Sequence, residues 1–336
     1  MNRCLAAAIL CLLLTGCSGT RTTRPIVYDQ DGRIVSELVF PPDQRDVVLP
    51  LKFDGALLFT DDVRINGQSV GSFIIDTGAM CSALDRDASK KLGLMNGGKR
   101  LRDRKDSRLR RPDGLFHIDS LDVGGVGVRN HVIAVLDLSS VRARGRPNLA
   151  GVIGADVWAM TPFTVDYGAR EVVFHARPHF RPPPPDRAAA SPLALRDELK
   201  APPPFSLANP RAGAPSVPVR INGETSDAVL DTASGGSIVL LPRFINKHPY
   251  FLRGDRAVAR AAGAGGSVGM AGYGLVGANI DSIDALGVRF TDIHGGLAII
   301  DDVAREQSSA ILGSRILSRL RLTFDYASGK VWAEVK

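Results

Sequence analysis

The segment FIIDTGA, residues 73–79, places an aspartate after an apolar run and before a threonine and two small residues. A second segment, AVLDTAS, residues 228–234, repeats this order 155 residues later. The aliphatic residues before each aspartate are typical of a buried β-strand, and Thr followed by Gly or Ala permits a tight turn with exposed backbone amides. The two segments therefore predict two buried strands that end at Asp76 and at Asp231.

The repetition extends along most of the chain. The further pairs are VRING at 63–67 and 219–223, IDSLD at 118–122 with IDSID at 280–284, and VIG at 152–154 with ILG at 311–313. Asp166-Tyr167 and Asp325-Tyr326 each follow the last of these motifs, with the aspartate 12 residues after the glycine. The pairs run in the same order at offsets of 155 to 162 residues, which indicates two homologous halves in one chain.

Composition divides the chain around these halves. Nine prolines lie within residues 177–204, a stretch that cannot bury enough apolar surface to fold alone and favours extended conformations. The predicted organisation is a signal peptide at 1–16, a spacer at 17–45, a first lobe at 46–176, a Pro-rich interlobe linker at 177–211 and a second lobe at 212–336.

Local patterns within each half favour a mostly β fold with a few short helices. The chain of 336 residues is long enough for two domains, and its 35 glycines and 21 prolines favour a turn-rich architecture. Asn66-Gly67 and Asn222-Gly223 predict tight turns between strands. One short helix is expected over residues 85–94, another after Gly154 and a third after Gly313.

The two aspartate segments resemble the active-site loops of the aspartic proteases, specifically the retropepsin-like family. The VIG and ILG motifs are similar to the family's elements that brace these loops from below. The resemblance covers about residues 46–176 and 212–336 and implies two homologous retropepsin-like (acid protease) β-barrel lobes. Because both half-sites lie on one chain, it also implies that the protein acts as a monomer.

In this family, two neighbouring carboxyl groups share one proton and titrate as a unit. The resemblance therefore makes Asp76 and Asp231 the catalytic pair of an endopeptidase that uses water and needs no cofactor or metal. It also makes Thr77 and Thr232 a hydroxyl cross-link between the loops. The residues that support the loops are Thr77, Gly78, Ala79, Thr232, Ala233 and Ser234. The partner would be a protein or peptide substrate.

Two departures from the family pattern leave an alternative open. Ala233 replaces the usual glycine, and its methyl group would face the opposite loop and the substrate backbone. Neither half shows an obvious counterpart to the flap tyrosine of pepsin-like enzymes, and Tyr273 is only a weak match for it. The alternative function is a catalytically inactive peptide-binding lipoprotein that keeps the cleft. A purely structural envelope protein would leave the paired aspartates and threonines unexplained.

The flaps that close over substrate in this family are expected at residues 99–111 and 263–274. Residues 99–111 carry eight basic side chains against Asp103 and Asp106. This segment is either a solvated mobile loop or a basic lid that attracts acidic substrates. The net charge of +7 does not call for nucleic acid as a partner.

The N-terminus resembles a lipoprotein signal. Arg3 precedes an apolar run at 5–14, and LTGC at 14–17 is similar to a lipobox, which implies lipidation of Cys17. Ser18, rather than an aspartate, follows this cysteine, and this resembles the lipoprotein signals that direct sorting to the outer membrane. The expected location is therefore the bacterial envelope, on the periplasmic face of the outer membrane. Cys81 would then be the remaining free thiol, and its apolar neighbours favour a small buried hydrophobe over a nucleophile.

Other motifs do not support a different chemistry. GYGLVG at 272–277 has the letters of a dinucleotide fingerprint, but no helix pattern follows it. The histidines and cysteines lack the spacing of a zinc site. Ser234 and Ser237 have no neighbouring histidine motif that would activate a serine nucleophile. Asp166 and Asp325 are interpreted as structural turn formers.

Overall fold

The structure is a computed structural model that describes residues 36–55, 57–79, 81–97, 100–101, 114–143, 145–194, 214–252, 257–258, 274–299 and 308–336. The predicted signal peptide, Cys17, Tyr273 and most of both predicted flaps lie outside these ranges. Strands predominate in the described part and the helices are short, which confirms the mostly β class. None of the described helices is both long enough and apolar enough to span a membrane.

Among the described residues, the first half contains fourteen strands and four short α-helices. Its strands are β1 (Glu37–Val39), β2 (Asp46–Pro50), β3 (Lys52–Asp54), β4 (Leu57–Thr60), β5 (Val63–Ile65), β6 (Gln68–Ser69), β7 (Ser72–Ile75), β8 (Ala83–Asp85), β9 (Arg100–Leu101), β10 (Gly114–Val123), β11 (Val126–Leu136), β12 (Leu149–Ile153), β13 (Phe163–Asp166) and β14 (Glu171–His175). Its helices are α1 (Arg86–Lys91), α2 (Leu94–Gly97), α3 (Ser139–Arg142) and α4 (Ala155–Trp158).

The second half follows the same plan. Its strands, with the one that precedes it, are β15 (Ala189–Pro192), β16 (Ser216–Ile221), β17 (Glu224–Asp231), β18 (Ile238–Leu240), β19 (Ala257–Val258), β20 (Gly274–Ala285), β21 (Val288–Ile299), β22 (Ala310–Gly313), β23 (Leu320–Asp325) and β24 (Lys330–Val335). Its helices are α5 (Pro242–Lys247) and α6 (Ser314–Leu317), and short 3-10 helices lie at Arg177–His179 and Pro249–Leu252.

Each half forms its own sheet with the same pairing order. In the first half β7 runs parallel to β12, which pairs antiparallel with β8, and β8 runs parallel to β11. In the second half β17, β22, β18 and β21 repeat these relationships strand for strand. The aspartate motif and the VIG or ILG motif therefore lie side by side in both sheets, as expected for homologous halves.

The repeated Asn-Gly turns explain a second pair of motifs. Asn66 and Gly67 have φ angles of 49° and 77°, and the equivalent residues of the second half have similar values, because a tight hairpin needs the left-handed region that Asn and Gly tolerate. The side chain of Asn66 accepts a hydrogen bond from Ser120 N at 3.1 Å. Asn222 does the same with Ser282 N at 3.0 Å. The VRING and IDS motifs are thus two parts of one turn.

A third sheet joins the two halves and was not predicted. Its order is β15-β24-β23-β13-β14-β2, so it takes strands from both ends of the chain. At its centre β13 pairs antiparallel with β23, which places Phe163 opposite Phe324. Their rings stack with centroids 4.8 Å apart. The two halves therefore share backbone hydrogen bonds and core aromatics, a consequence of the alternating FTVD and LTFD segments.

The segment predicted as linker is partly structured. Ala189–Pro192, inside residues 177–211, forms the edge strand β15 and pairs with β24. Pro192 lies at its end, where an edge strand tolerates a residue without an N–H group. The predicted spacer at 17–45 likewise contains β1, which pairs with β11. Each short segment gains its backbone partners from a neighbouring strand far away in sequence, which composition alone does not reveal.

The short helices lie close to where the sequence predicts them. Asp85 caps α1 by accepting a hydrogen bond from Asp87 N, and Gly93, with φ 70°, lies just beyond its end. Helices α4 and α6 begin directly after Gly154 and Gly313. The carboxylate of Asp166 accepts hydrogen bonds from two amides of the turn that follows it, in agreement with a structural role.

Candidate active site

The two predicted catalytic aspartates lie at equivalent points of the two sheets. Strand β7 is buried, and Asp76 follows its last residue, with its amide donating to Ile153 O at 3.1 Å. Asp231 ends the buried part of β17 and lies opposite Gly313 in the parallel pair with β22. The apolar side chains before each aspartate fix the strand in the core, so the carboxyl group emerges at a defined position.

Each aspartate organises the turn that follows it. Asp76 Oδ1 accepts hydrogen bonds from Gly78 N and Ala79 N, both at 2.8 Å. Asp231 Oδ1 accepts the equivalent bonds from Ala233 N at 2.8 Å and Ser234 N at 3.0 Å. Paired amide donors hold one oxygen of each carboxyl group, so neither side chain rotates freely.

The two threonines connect the loops to each other. Thr77 Oγ1 donates to Leu230 O at 2.7 Å, and Thr232 Oγ1 donates to Ile75 O at 2.6 Å. Each hydroxyl also accepts the backbone N–H of the other threonine, at 3.1 and 3.2 Å. Both threonines are fully buried. The structure thus places them where the family resemblance implies a cross-link.

Gly78 brings the first loop into contact with the second carboxyl group. A Cβ atom added to Gly78 would lie 2.6 Å from Cγ of Asp231 and 2.8 Å from its Oδ2. Real Cβ atoms do not approach so closely, so only glycine fits without displacing the carboxyl group. The first loop and Asp231 are therefore packed directly against each other.

The environment of the pair favours the protonated form of one carboxyl group. Residues Asp76 and Asp231 are 1% and 3% exposed. Burial, followed by the charge of Asp231, raises the pKa of Asp76 well above its usual range, against the lowering effect of the Ala79 and Gly78 amides. Among the described residues no amide or hydroxyl donates to Asp76 Oδ2, and a side-chain hydrogen bond with Asp231 raises the pKa of Asp76 further. Two buried acids in electrostatic contact cannot both ionise cheaply.

Ala233, the departure from the family pattern, is accommodated by packing. It is partly buried and contacts an apolar cluster of the first half that includes Phe59, Ile74 and Val152. Ala79 of the first loop packs against the same cluster. The methyl group of Ala233 therefore extends a hydrophobic contact between the halves. At the equivalent position of the first loop, Gly78, a methyl group would collide with Asp231.

The VIG and ILG glycines lie directly against the active-site loops. A Cβ atom on Gly154 would lie 2.5 Å from the carbonyl carbon of Cys81, and one on Gly313 would lie 2.3 Å from Gly236 O. The residue after each glycine completes the contact: Ala155 N donates to Ala79 O, and Ser314 N donates to Ser234 O. These glycines support the loops from below, as the resemblance implies.

Sequence reasoning missed a buried polar group below the first loop. Asp156, Ser82 and His131 are 2%, 0% and 1% exposed and are hydrogen-bonded to one another. Asp156 follows the VIG motif, which could have marked it as a candidate. His131 carries no such signal, because it lies 25 residues away in sequence and reaches Asp156 only through the sheet.

Two repeated tyrosines were also left without a role. Burial raises the pKa of both Tyr167 and Tyr326, and the charge of the aspartate in the opposite half raises each further, Asp231 for Tyr167 and Asp76 for Tyr326. The ring of Tyr326 packs against Phe163 in the aromatic core that joins the halves, and the ring of Tyr167 packs against Phe53. The Asp-Tyr repeat therefore lies within the electrostatic reach of the carboxyl pair.

The remaining predicted groups bear on alternative chemistries. Burial, then the charges of Asp156 and Asp76, raises the pKa of Cys81 far above its usual range, so its thiolate is disfavoured. Within the described ranges, no group of three or more His, Cys, Asp or Glu side chains is arranged to hold a metal ion.

Comparisons with known proteins find one family model and several solved structures to which this chain is similar. Residues 62–157 match the family model described as aspartyl protease. No curated protein sequence matches the chain. Basic 7S globulin from soybean is 15% identical, with a TM-score of 0.46 and coverage of 87% of this chain and 95% of that one. Aspartic proteinase from Irpex lacteus is 10% identical, with a TM-score of 0.47 and coverage of 87% and 97%. A retropepsin-like aspartic protease from Rickettsia conorii is 17% identical, with a TM-score of 0.27 and coverage of 38% and 86%.

The strand pairing and the paired loops give two similar β lobes, in the arrangement predicted from the repeat. The family model matches the part of the first lobe that carries Asp76, which supports the predicted resemblance to the aspartic proteases.

Proposed function

We propose that the protein is an aspartic endopeptidase in which Asp76 and Asp231 activate water together. The observation that carries this proposal is the buried carboxyl pair, held by equivalent amide donors, with the pKa of Asp76 raised by burial and by Asp231. A pair that shares one proton contains a base and an acid at once, which is what peptide hydrolysis requires.

The reaction follows from that shared proton. The ionised carboxylate takes a proton from a water molecule, whose oxygen attacks the carbonyl carbon of the scissile bond. The protonated carboxyl group donates its proton to the carbonyl oxygen, which yields a tetrahedral diol. The newly ionised carboxylate then takes a proton from a hydroxyl of the diol, and the other carboxyl group gives its proton to the amide nitrogen. The C–N bond breaks, and the pair is left with one shared proton, as at the start.

The test is cleavage of a diverse peptide library by the purified protein, read by mass spectrometry from acidic to neutral pH. Asp76→Asn and Asp231→Asn should each abolish cleavage, and the double variant should be no worse, because the pair acts as one unit. Asp122→Asn is the matched control, since Asp122 caps the turn at Gly125 and an amide oxygen can accept the same bond. Near-normal cleavage by Asp231→Asn would refute the paired mechanism.

A catalytically inactive peptide-binding protein is the second candidate, and Ala233 is the observation that favours it. Its methyl group replaces the glycine typical of this loop at a position that faces the opposite half. This function predicts no cleavage by the wild type and peptide binding that changes little in Asp76→Asn. Isothermal titration with library peptides separates the two functions.

We further propose that Cys17 anchors the protein by a lipid to the bacterial envelope, on the periplasmic face of the outer membrane. The support is the LTGC sequence at 14–17, which resembles a lipobox. These residues lie outside the described ranges. Cys17→Ser should move the protein from the detergent phase to the aqueous phase or leave its signal uncleaved. Cys81→Ser is the matched control and should not change partitioning. Unchanged partitioning of a Cys17→Ser protein whose signal has been cleaved would exclude the lipid anchor.

A further inference from the structure

A buried carboxylate holds the far end of the first active-site loop. Ser82 N donates to Asp156 Oδ1 and Oδ2, both at 2.8 Å, and Ser82 Oγ donates to Asp156 Oδ1 at 2.7 Å. The same hydroxyl accepts a hydrogen bond from Gly154 N at 3.1 Å. Ser82 is six residues beyond Asp76, so these bonds fix the point at which the catalytic loop returns to the sheet.

His131 completes the group on the other side of Asp156. Its Nε2 lies 3.1 Å from Asp156 Oδ2, and its Nδ1 lies 3.1 Å from the hydroxyl of Ser36. The Ser36 hydroxyl is also within hydrogen-bond distance of Asn130 O, at 3.1 Å, and Ser36 directly precedes β1. A buried carboxylate needs donors on each side to offset its desolvation, and the imidazole provides the donor that Ser82 cannot.

The second half lacks this arrangement at the equivalent positions. Ile118 pairs with His131, and its repeat Ile280 pairs with Ile293, so an apolar side chain replaces the imidazole. By the same repeat Arg315, which is exposed, stands where the first half has Asp156. The second loop is held by neutral groups: Ser314 N and Oγ donate to Ser234 O at 2.7 and 2.9 Å.

We propose that Asp156 and His131 are positioning residues for the first active-site loop and thereby set the orientation of the Asp76 carboxylate. The inference rests on the proposed endopeptidase function and deepens it. It identifies the contact of Asp156 with Ser82 and His131 as the one on which the first half-site depends. The pair does not contact substrate. It acts through Ser82 and through the glycine that supports the loop.

Two substitutions of His131 separate positioning from general stability. His131→Gln keeps a side-chain N–H that can reach Asp156, whereas His131→Ile has the apolar side chain that the second half accepts at this place. In His131→Ile, kcat should fall by about tenfold or more with KM little changed, because a displaced carboxylate harms the chemical step more than binding. His131→Gln should recover most of that loss. Equal kcat in both variants, corrected for the folded fraction by circular dichroism, would overturn the proposal.

Backbone amide hydrogen exchange supplies a measurement that does not need activity. In His131→Ile, exchange in residues 79–82 should accelerate by about tenfold or more as the contact with Asp156 loosens. Residues 234–237 of the second loop are the internal control and should not change. Unchanged exchange in residues 79–82 would contradict the positioning role, whether or not the wild type cleaves peptides. A wild type that does not cleave peptides, with accelerated exchange in His131→Ile, would contradict only the proposed function. Asp156→Asn repeats the test if His131→Ile does not fold.

Discussion

The hydroxyl groups of Thr77 and Thr232 each donate to a backbone carbonyl of the opposite half, on the strand that carries the opposite aspartate. The two bonds are 2.7 and 2.6 Å long and form one reciprocal contact at the base of the carboxyl pair. The relative position of Asp76 and Asp231 is therefore set by residues adjacent to them, and the shared sheet at β13 and β23 fixes it a second time.

Removal of one threonine hydroxyl should weaken this contact. Thr77→Val leaves Leu230 O and Thr232 N without their bonds in a buried site, which should lower the free energy of unfolding by about 1–3 kcal/mol. Thr77→Ser is the control, because it keeps the hydroxyl. Urea denaturation of the three proteins measures the difference. Equal stability of the Val and Ser variants would show that the hydrogen bonds are not important for stability.

The two loops should respond differently to a change of one methyl group. Gly78→Ala places a Cβ atom 2.6 Å from Cγ of Asp231, so the carboxyl pair must separate and kcat should fall about a hundredfold. Ala233→Gly removes a methyl group from an apolar contact and should leave kcat unchanged or higher. Steady-state kinetics on one peptide tests both. A Gly78→Ala protein with normal kcat would contradict the close approach seen here.

The raised pKa of Asp76 predicts how stability depends on pH. The folded protein holds this proton at pH values where the unfolded chain, with an ordinary carboxyl group near 3.8, has released it. This contribution to stability is complete below the unfolded value and is lost as pH rises through the raised folded value. As pH rises from the unfolded value of 3.8 toward the raised folded value, wild type should therefore lose stability relative to Asp76→Asn.

Urea denaturation across this range gives the comparison directly. The Asp122→Asn variant should follow the wild-type profile, since its side chain lies on a turn outside the pair. Because the two carboxyl groups titrate together, Asp231→Asn should reduce the slope as well. Parallel profiles for wild type and Asp76→Asn would show that the pair carries no raised pKa in the folded protein.

The thiol of Cys81 should be unreactive in the native protein. Its pKa is raised by burial and by the negative charges of Asp156 and Asp76, and alkylating agents attack the thiolate. Iodoacetamide at mildly alkaline pH should label the Cys81 peptide slowly in buffer and rapidly in urea, as measured by mass spectrometry. Cys81→Ala should keep cleavage within a few-fold. Fast native labelling with loss of activity in Cys81→Ala would indicate a thiol mechanism instead.

Much of this protein could be predicted from local sequence because its signals repeat. The aspartate segments, the Asn-Gly turns and the helices after Gly154 and Gly313 depend on backbone preferences of adjacent residues, and two homologous copies make each pattern easier to recognise. The mostly β class and the resemblance to the aspartic proteases followed from the same motifs.

Only the tertiary structure decided which distant groups meet. The pairing of Phe163 with Phe324, the contact of His131 with Asp156 and the approach of Gly78 to Asp231 each join residues far apart in sequence. Such contacts are set by how the strands pair and how the halves dock, and the residue types involved are compatible with many other partners. The sequence alone therefore determined the strands, turns and candidate aspartates, whereas long-range packing decided their geometry and the buried groups that hold it.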